Sequence, residues 1–172
     1  MERKNLWAPW RVKYIQGLSK ESKSGCFLCD YLTTPEKDKE NLLLWRTEHA
    51  IVVFNQFPYN NGHLLIAPKR HIASFEETSE PEMLEMTKLI RDCQKALSQA
   101  ITPDGFNVGM NFGRCAGAGL PGHMHIHVVP RWNGDTNYMH VCSDTDVISQ
   151  SLTELYDQLI QISQTNHLPQ VS

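Results

Sequence analysis

Three histidines occupy alternate positions in one short apolar segment, which reads His123-Met124-His125-Ile126-His127-Val128-Val129-Pro130. Alternate residues of a β-strand point to the same side, about 7 Å apart, so a strand here places the three imidazoles on one face. Burying three imidazoles is costly because each of them loses its contacts with water. The spacing therefore predicts a chemical role for the histidines as a set.

Two kinds of chemistry suit such a row. A neutral imidazole is a nucleophile that can attack an α-phosphorus and hold a nucleotide as a phosphoramidate, which divides one displacement into two. Imidazole is also a ligand of zinc. The residues just before the row are rich in glycine, and Gly117, Gly119 and Gly122 predict a loop whose backbone N–H groups can approach a phosphate closely.

A second pattern is Cys26-Phe27-Leu28-Cys29. Two cysteines at this spacing are half of a zinc site, a redox pair, or a chance occurrence. A redox pair usually lies at the start of a helix in a thioredoxin-like unit, and the sequence predicts no such unit. A zinc site needs two further ligands, for which His71 and His123 are the leading candidates and His49 competes with His71.

The elements that must position these residues can be predicted from hydrophobic periodicity. Leu42–Trp45 and Ala50–Phe54 read as a hairpin of buried strands, and three further strands are predicted at 63–67, 106–112 and 123–130. A long helix begins after Ser79 and runs to about Ala100, and an amphipathic segment spans 143–163. The predicted fold class is α+β, with an antiparallel sheet carrying one long helix.

Composition limits the classes of protein that remain. The 172 residues are enough for one domain, and 16 Lys and Arg against 19 Asp and Glu give a net charge of −3. That balance argues against a general nucleic-acid coat and against a polybasic membrane anchor. We predict no transmembrane segment and no signal peptide, hence a cytoplasmic protein, in which five cysteines favour metal binding or free thiols over disulfides.

Two segments carry a resemblance to a known family. The segment Gly122–Arg131 resembles the signature of the histidine triad (HIT) superfamily of nucleotide hydrolases and transferases, and Phe54–Pro68 resembles the other half of that family's pocket. The opening Leu6–Arg11 and the segment Val129–Tyr138 are similar to the zinc-containing bacterial branch that includes diadenosine tetraphosphate phosphorylases. The resemblance implies a HIT-like sheet and helix, plus an N-terminal arm and a C-terminal helix.

The resemblance also implies catalytic roles. His125 would be the nucleophile on the α-phosphate, and His127 would contact the phosphates and assist the leaving group or the acceptor. His63 would buttress the row. The implied nucleotide-binding residues are Asn55 for the ribose, Phe54 and Leu28 for the base, and Asn111, Gly117, Ala118 and Gly119 for the phosphates.

Zinc, assembly and domain boundaries follow from the same resemblance. A structural zinc would be held by Cys26, Cys29, His71 and His123, and closed tetrahedral coordination would leave no catalytic water. Relatives usually dimerise by joining their sheets, so a homodimer is expected. The expected division of the chain is an aromatic arm at 1–25, the HIT domain at 26–142, and a C-terminal helix with a tail at 143–172.

The function expected from these residues is cleavage at the α-phosphate of an adenylyl dinucleoside polyphosphate through a nucleotidyl-histidine on His125. The acceptor is open between phosphate and water, because related enzymes often place Gln or Ser where this chain has Gly119. The alternatives are a nucleoside phosphoramidase acting on compounds such as AMP-lysine, a nucleotide-binding protein without turnover, and a hydrolase with a catalytic zinc.

Overall fold

The computed structural model describes residues 25–135 and 147–170. The predicted arm, the segment 136–146 and the last two residues lie outside that range. The helices are α1 (Phe27–Leu32), α2 (Glu80–Ile101) and α3 (Leu152–Thr165). The strands are β1 (Leu43–Arg46), β2 (Ala50–Phe54), β3 (Leu64–Pro68), β4 (Gly105–Met110) and β5 (Ile126–Arg131).

The five strands form one antiparallel sheet in the order β1-β2-β3-β5-β4. Strands β1, β2 and β3 pair in the order in which they occur in the chain. Strand β5 lies between β3 and β4, so β4 is at the edge of the sheet. The long helix α2 and the C-terminal helix α3 contact each other and pack on the sheet. The predicted α+β class, with an antiparallel sheet and one long helix, is confirmed.

The sheet separates two groups of buried apolar residues because side chains alternate along each strand. The helix side holds the larger group, which includes Met124, Ile126 and Val128. The opposite side holds a smaller group against α1, including Leu28, Val53 and Leu65. The alternation predicted for the histidine segment is confirmed, since its apolar members pack under the helices.

Helix α2 begins where the sequence predicts. The Ser79 hydroxyl accepts from the backbone N–H of Glu82, and the Glu82 carboxylate accepts from the backbone N–H of Ser79, which satisfies donors at the helix start. Met86, Cys93 and Leu97 of the predicted apolar stripe are buried, while Met83 and Ile90 are half-buried. The helix therefore provides the expected cover for one face of the sheet.

Three boundaries differ from the prediction. Strand β5 begins at Ile126 rather than at His123, because the backbone N–H of Met124 donates to the carbonyl of Ile72 outside the strand ladder. Helix α3 begins at Leu152 rather than near residue 143, since the hydroxyl of Ser151 caps it. The short helix α1 lies where the sequence indicated no element.

The turn before β3 requires a glycine. Gly62 has a φ of +76°, a conformation that side chains with a Cβ rarely adopt. A Cβ atom there would lie 2.8 Å from Ile101 Cδ1 and 2.9 Å from Leu97 Cδ2. The turn that leads into His63 is therefore packed directly on the end of α2.

No helix within residues 25–135 and 147–170 is both long and apolar enough to cross a bilayer.

Candidate active site and metal cluster

His127 lies in a row of side chains that crosses the sheet on the face turned away from α2. In the strand register Val53 of β2 pairs with Leu65 of β3, and Leu65 pairs with His127 of β5. Paired residues in neighbouring strands share a face. The imidazole of His127 thus stands beside an apolar floor made by Val53 and Leu65.

His125 lies close to His127 and is held by a backbone carbonyl. Its ring centroid is 4.9 Å from that of His127, and its side chain is 9% exposed. His125 Nδ1 lies 2.9 Å from the carbonyl oxygen of His123. Because a carbonyl can only accept, Nδ1 carries a proton, and in the neutral imidazole Nε2 then keeps a free electron pair. That is the protonation state required of an imidazole nucleophile.

His63 lies behind His127 and has a fixed orientation. The backbone N–H of Tyr59 donates to His63 Nδ1 at 3.1 Å, and Asn55 Nδ2 lies 3.2 Å from the same atom. A backbone N–H can only donate, so Nδ1 is unprotonated and the proton is on Nε2. His63 Nε2 then donates to His127 Nδ1 at 3.0 Å.

The proton positions continue to His127. Since its Nδ1 accepts from His63, its Nε2 carries a proton that can be donated to a ligand. Asn111 lies beside that atom, with Nδ2 3.4 Å from His127 Nε2. Because the nitrogen and oxygen of an amide have nearly the same shape, the Asn111 amide can be rotated by 180° so that its oxygen accepts from His127 Nε2–H. The face therefore offers a free electron pair on His125 and a proton donor on His127.

Burial keeps His63 and His127 uncharged. Burial, followed by the nearby His127 and His125, lowers the pKa of His63 to about 3. Burial and the neighbouring His125 lower the pKa of His127 to about 4. Both imidazoles are neutral near pH 7, as the hydrogen bond between them requires.

We expect these pKa values to make folding stability depend on pH. The unfolded chain binds protons on both histidines below about pH 6.5, whereas the folded protein does not until about pH 4 and pH 3. The free energy of unfolding should therefore fall with decreasing pH below about 6.5, by about 2 kcal/mol between pH 7 and pH 5 for the fully buried His63. Urea denaturation at several pH values measures this.

His63→Gln provides the control for that prediction. The variant should show a shallower fall in the free energy of unfolding between pH 7 and pH 5, where carboxylates stay ionised in both states. An equal slope in the wild type and the variant would contradict the assignment. Glu82, whose pKa the Arg70 guanidinium lowers to about 2, contributes only below that range.

The glycine-rich loop departs from the prediction in its hydrogen bonds. The backbone N–H of Gly117 donates to the carbonyl of Arg114, and that of Ala118 donates to the carbonyl of Gly113. Of the N–H groups of Gly117, Ala118 and Gly119, which were expected to face a phosphate, the first two are thus bonded within the loop. A Cβ on Gly117 would lie 3.9 Å from Asn111 Nδ2, so the loop nonetheless borders the histidine face.

The two residues predicted for the nucleoside differ in their placement. Asn55 lies at the site, where its Oδ1 accepts from the backbone N–H of Phe57 and its Nδ2 approaches His63. Phe54 does not lie at the site. It is 1% exposed, and its ring centroid is 6.1 Å from that of Tyr156 of α3, on the helix side. Its position in β2 directs it away from the histidines.

The apolar residues beside the histidines were missed in the sequence. Val53 and Leu65 lie on the histidine side together with Leu28, which the sequence suggested only as a guess. The alternation of side chains along β2 was the signal that could have identified Val53. If His127 and Leu65 share a face, the β2 residue on that face is Val53 rather than Phe54.

The four predicted metal ligands converge at the other end of the histidine segment. Cys26 Sγ lies 3.3 Å from His123 Nδ1, and Cys29 Sγ lies 3.2 Å from His71 Nδ1 and 3.6 Å from His123 Nδ1. All four ligand atoms lie within 4.8 Å of one another. His49 is not part of this cluster, which is the only group of its kind among the described residues.

The donor set fits a tetrahedral zinc ion. Zinc–sulfur and zinc–nitrogen bonds of about 2.3 and 2.0 Å imply S···N separations of about 3.5 Å. His123 Nε2 lies 2.8 Å from the carbonyl of Pro68 and must donate to it, so the lone pair of Nδ1 points toward the sulfurs. Burial and the adjacent Cys26 thiol raise the pKa of Cys29 to about 11, so a cation is needed to hold the thiolate form.

Comparison with known proteins agrees with this geometry. The family model described as the HIT domain matches residues 36–134. The chain belongs to the HIT family. The AP-4-A phosphorylase of Mycobacterium tuberculosis (strain ATCC 25618 / H37Rv) is 33% identical over 153 residues, which are 87% of this chain and 78% of that protein. The name of this relative is that of a nucleotide-processing enzyme.

Solved HIT structures share the fold. A hypothetical histidine triad nucleotide-binding protein from Sulfolobus tokodaii has a TM-score of 0.64 at 26% identity and covers 82% of this chain and 93% of its own. A Zn-bound histidine triad family protein from Mycobacterium smegmatis also has a TM-score of 0.64, at 22% identity, over 81% of this chain and 96% of its own.

Proposed function

We propose that this protein cleaves adenylyl dinucleoside polyphosphates at the α-phosphate through a nucleotide bound covalently to His125. The observation that carries the proposal is the pair of opposite proton states on one face, a free electron pair on His125 Nε2 and a proton on His127 Nε2. Similarity to the AP-4-A phosphorylase of M. tuberculosis supports the substrate class.

The proposed reaction has two displacements. His125 Nε2 forms a bond to the α-phosphorus while the bond from that phosphorus to the bridging oxygen of the leaving polyphosphate breaks. His127 Nε2–H donates to the leaving oxygen, which lowers the charge that develops there. In the second step an oxygen of the acceptor attacks the same phosphorus and the bond to His125 breaks.

Binding of the substrate would use the remaining residues of the face. Asn55 would hold the nucleoside, because it lies beside the histidines, whereas Val53 and Leu65 are buried beneath that face. Asn111 and the loop at Gly117, Ala118 and Gly119 would contact the phosphates. Since the N–H groups of Gly117 and Ala118 are bonded within the loop, the N–H of Gly119 and the Asn111 side chain are the groups we propose for phosphate binding.

The acceptor decides between a phosphorylase and a hydrolase, and product analysis tests it. Diadenosine tetraphosphate is incubated with the purified protein, with and without [³²P]phosphate. A phosphorylase gives ATP and ADP only when phosphate is present, with the label in the β-phosphate of ADP. A hydrolase gives ATP and AMP without phosphate.

The same experiment tests the alternatives. Cleavage of AMP-lysine without reaction of diadenosine tetraphosphate would favour the phosphoramidase. Saturable binding of nucleotide with no turnover of either compound would indicate a binding protein. Both outcomes would contradict the proposed substrate class.

We further propose that the metal at Cys26, Cys29, His71 and His123 is zinc and that it is structural. Four protein ligands complete a tetrahedron and leave no position for water. The ligands come from the first turn of α1 and the residue before it, from the segment after β3 and from the segment before β5. The ion would supply a cross-link among these three segments, and no step of the proposed reaction passes through it.

We propose a cytoplasmic homodimer formed through β4. This strand is at the end of the sheet, and its Val108 is 41% exposed. An edge strand presents unpaired backbone groups that a second copy can pair with. A reducing cytoplasm would keep the thiols of the cluster available for metal. The proposed division of the chain stays at 1–25, 26–142 and 143–172.

A further inference from the structure

The Tyr59 ring lies against both His63 and His127. We propose that Tyr59 is a positioning residue that fixes the tautomer of His63 and closes the solvent side of the His63–His127 pair. The proposal rests on the proposed function only for its kinetic consequences. Its structural part concerns proton positions that can be measured without substrate.

The first contribution of Tyr59 comes from its backbone. The Tyr59 N–H donates to His63 Nδ1 at 3.1 Å and cannot reverse its role. The Asn55 amide supports the same tautomer, because its Oδ1 is already turned toward the backbone N–H of Phe57. Two donors thus converge on His63 Nδ1, which directs the His63 proton to Nε2 and toward His127.

The second contribution comes from the ring. The Tyr59 ring centroid is 4.6 Å from that of His63 and 5.6 Å from that of His127, and the planes of Tyr59 and His127 differ by 26°. Tyr59 itself is 55% exposed. The ring therefore stacks on His127 and covers part of the pair formed by the buried His63 and the half-buried His127, while its outer part meets water.

Closure of this side matters because protonation would break the pair. A proton on His127 Nδ1 would remove the acceptor for His63 Nε2–H. Among the described residues, the titratable groups against His127 are His63 from the turn before β3, His125 from the segment before β5, and Tyr59 itself. None of them is a carboxylate, so water is the remaining influence that favours the charged form.

Tyr59→Leu tests the role of the ring. Leucine keeps the backbone N–H but lacks the stacked ring, so His127, which is half-buried in the wild type, should become more exposed to water. We expect the pH at which His127 titrates, followed by ¹⁵N NMR of the imidazoles, to rise by about one unit or more. The acid limb of the kcat profile should rise with it, with kcat about tenfold lower at the pH where the variant is protonated and the wild type is not, and KM little changed.

Two further variants complete the test. Tyr59→Phe keeps the ring and should restore the titration and the acid limb. Phe75→Leu removes an aromatic side chain of similar exposure outside the site and should leave both unchanged. An unshifted titration of His127 in Tyr59→Leu, or equal impairment in Tyr59→Phe, would overturn the proposal. A shifted titration in a protein that does not turn over diadenosine tetraphosphate would support the positioning role while contradicting the proposed function.

Discussion

Replacing His125 with alanine is expected to lower turnover of diadenosine tetraphosphate by at least about a thousandfold, because the variant has no nucleophile to form the covalent intermediate. The lost group is the Nε2 electron pair that the carbonyl of His123 keeps free by holding Nδ1 protonated. Single-turnover measurements with substrate labelled in the α-phosphate would show the acid-labile adduct in the wild type and none in the variant.

His49→Ala is the matched control for that experiment. His49 lies outside both the histidine face and the metal cluster, so the same change of residue type should leave adduct formation intact. Nucleotide affinity of His125→Ala should remain within a few-fold of the wild type, since the proposed binding uses Asn55, Asn111 and the glycine-rich loop. A labelled adduct that still formed without His125 would refute the proposed nucleophile.

Replacing Cys26 with serine is expected to lower the free energy of unfolding more than replacing a cysteine on the surface. Cys26 is buried, and its sulfur is one of the four atoms that would hold the proposed zinc between distant segments of the chain. Metal binding is coupled to folding, and loss of a ligand should lower the unfolding midpoint by about 10 °C or more for a chain of this length. Elemental analysis should find one zinc per wild-type chain and less than about a tenth of that in the variant.

Cys115→Ser is the control, because Cys115 is exposed in the glycine-rich loop and outside the cluster. It should retain both the metal and the midpoint. Turnover per folded molecule in Cys26→Ser, measured well below its midpoint, separates two roles for the metal. Activity within a few-fold of the wild type agrees with a structural ion, whereas immediate and complete loss on chelation of the folded wild type would indicate a catalytic zinc.

The histidine segment was predictable because a strand has a fixed period. Met124, Ile126 and Val128 had to share one side and the histidines the other, whichever strand lay beside them. The start of α2 was equally local, since Ser79 and Glu82 form a cap within four residues. The fold class and the shared face of the histidines thus follow from short-range rules.

Other features depend on groups distant in sequence. The choice of His71 over His49 as the fourth member of the cluster rests on where the segment after β3 lies relative to Cys29, which no spacing rule gives. Phe54 was misplaced because the strand register decides which of two adjacent residues faces His127. The internal hydrogen bonds of the glycine-rich loop likewise depend on its three-dimensional path.

The packing of Gly62 has a consequence for how this protein can vary. A residue with a Cβ at that position would be strained by the φ of +76° and would push against the side-chain ends of Leu97 and Ile101, directly before His63 in the chain. Position 62 should thus tolerate as few substitutions as the histidines, although glycine contributes no reactive atom. In a saturation library scored for activity, this position would resemble a catalytic one, and only stability measurements would reveal that its constraint is steric.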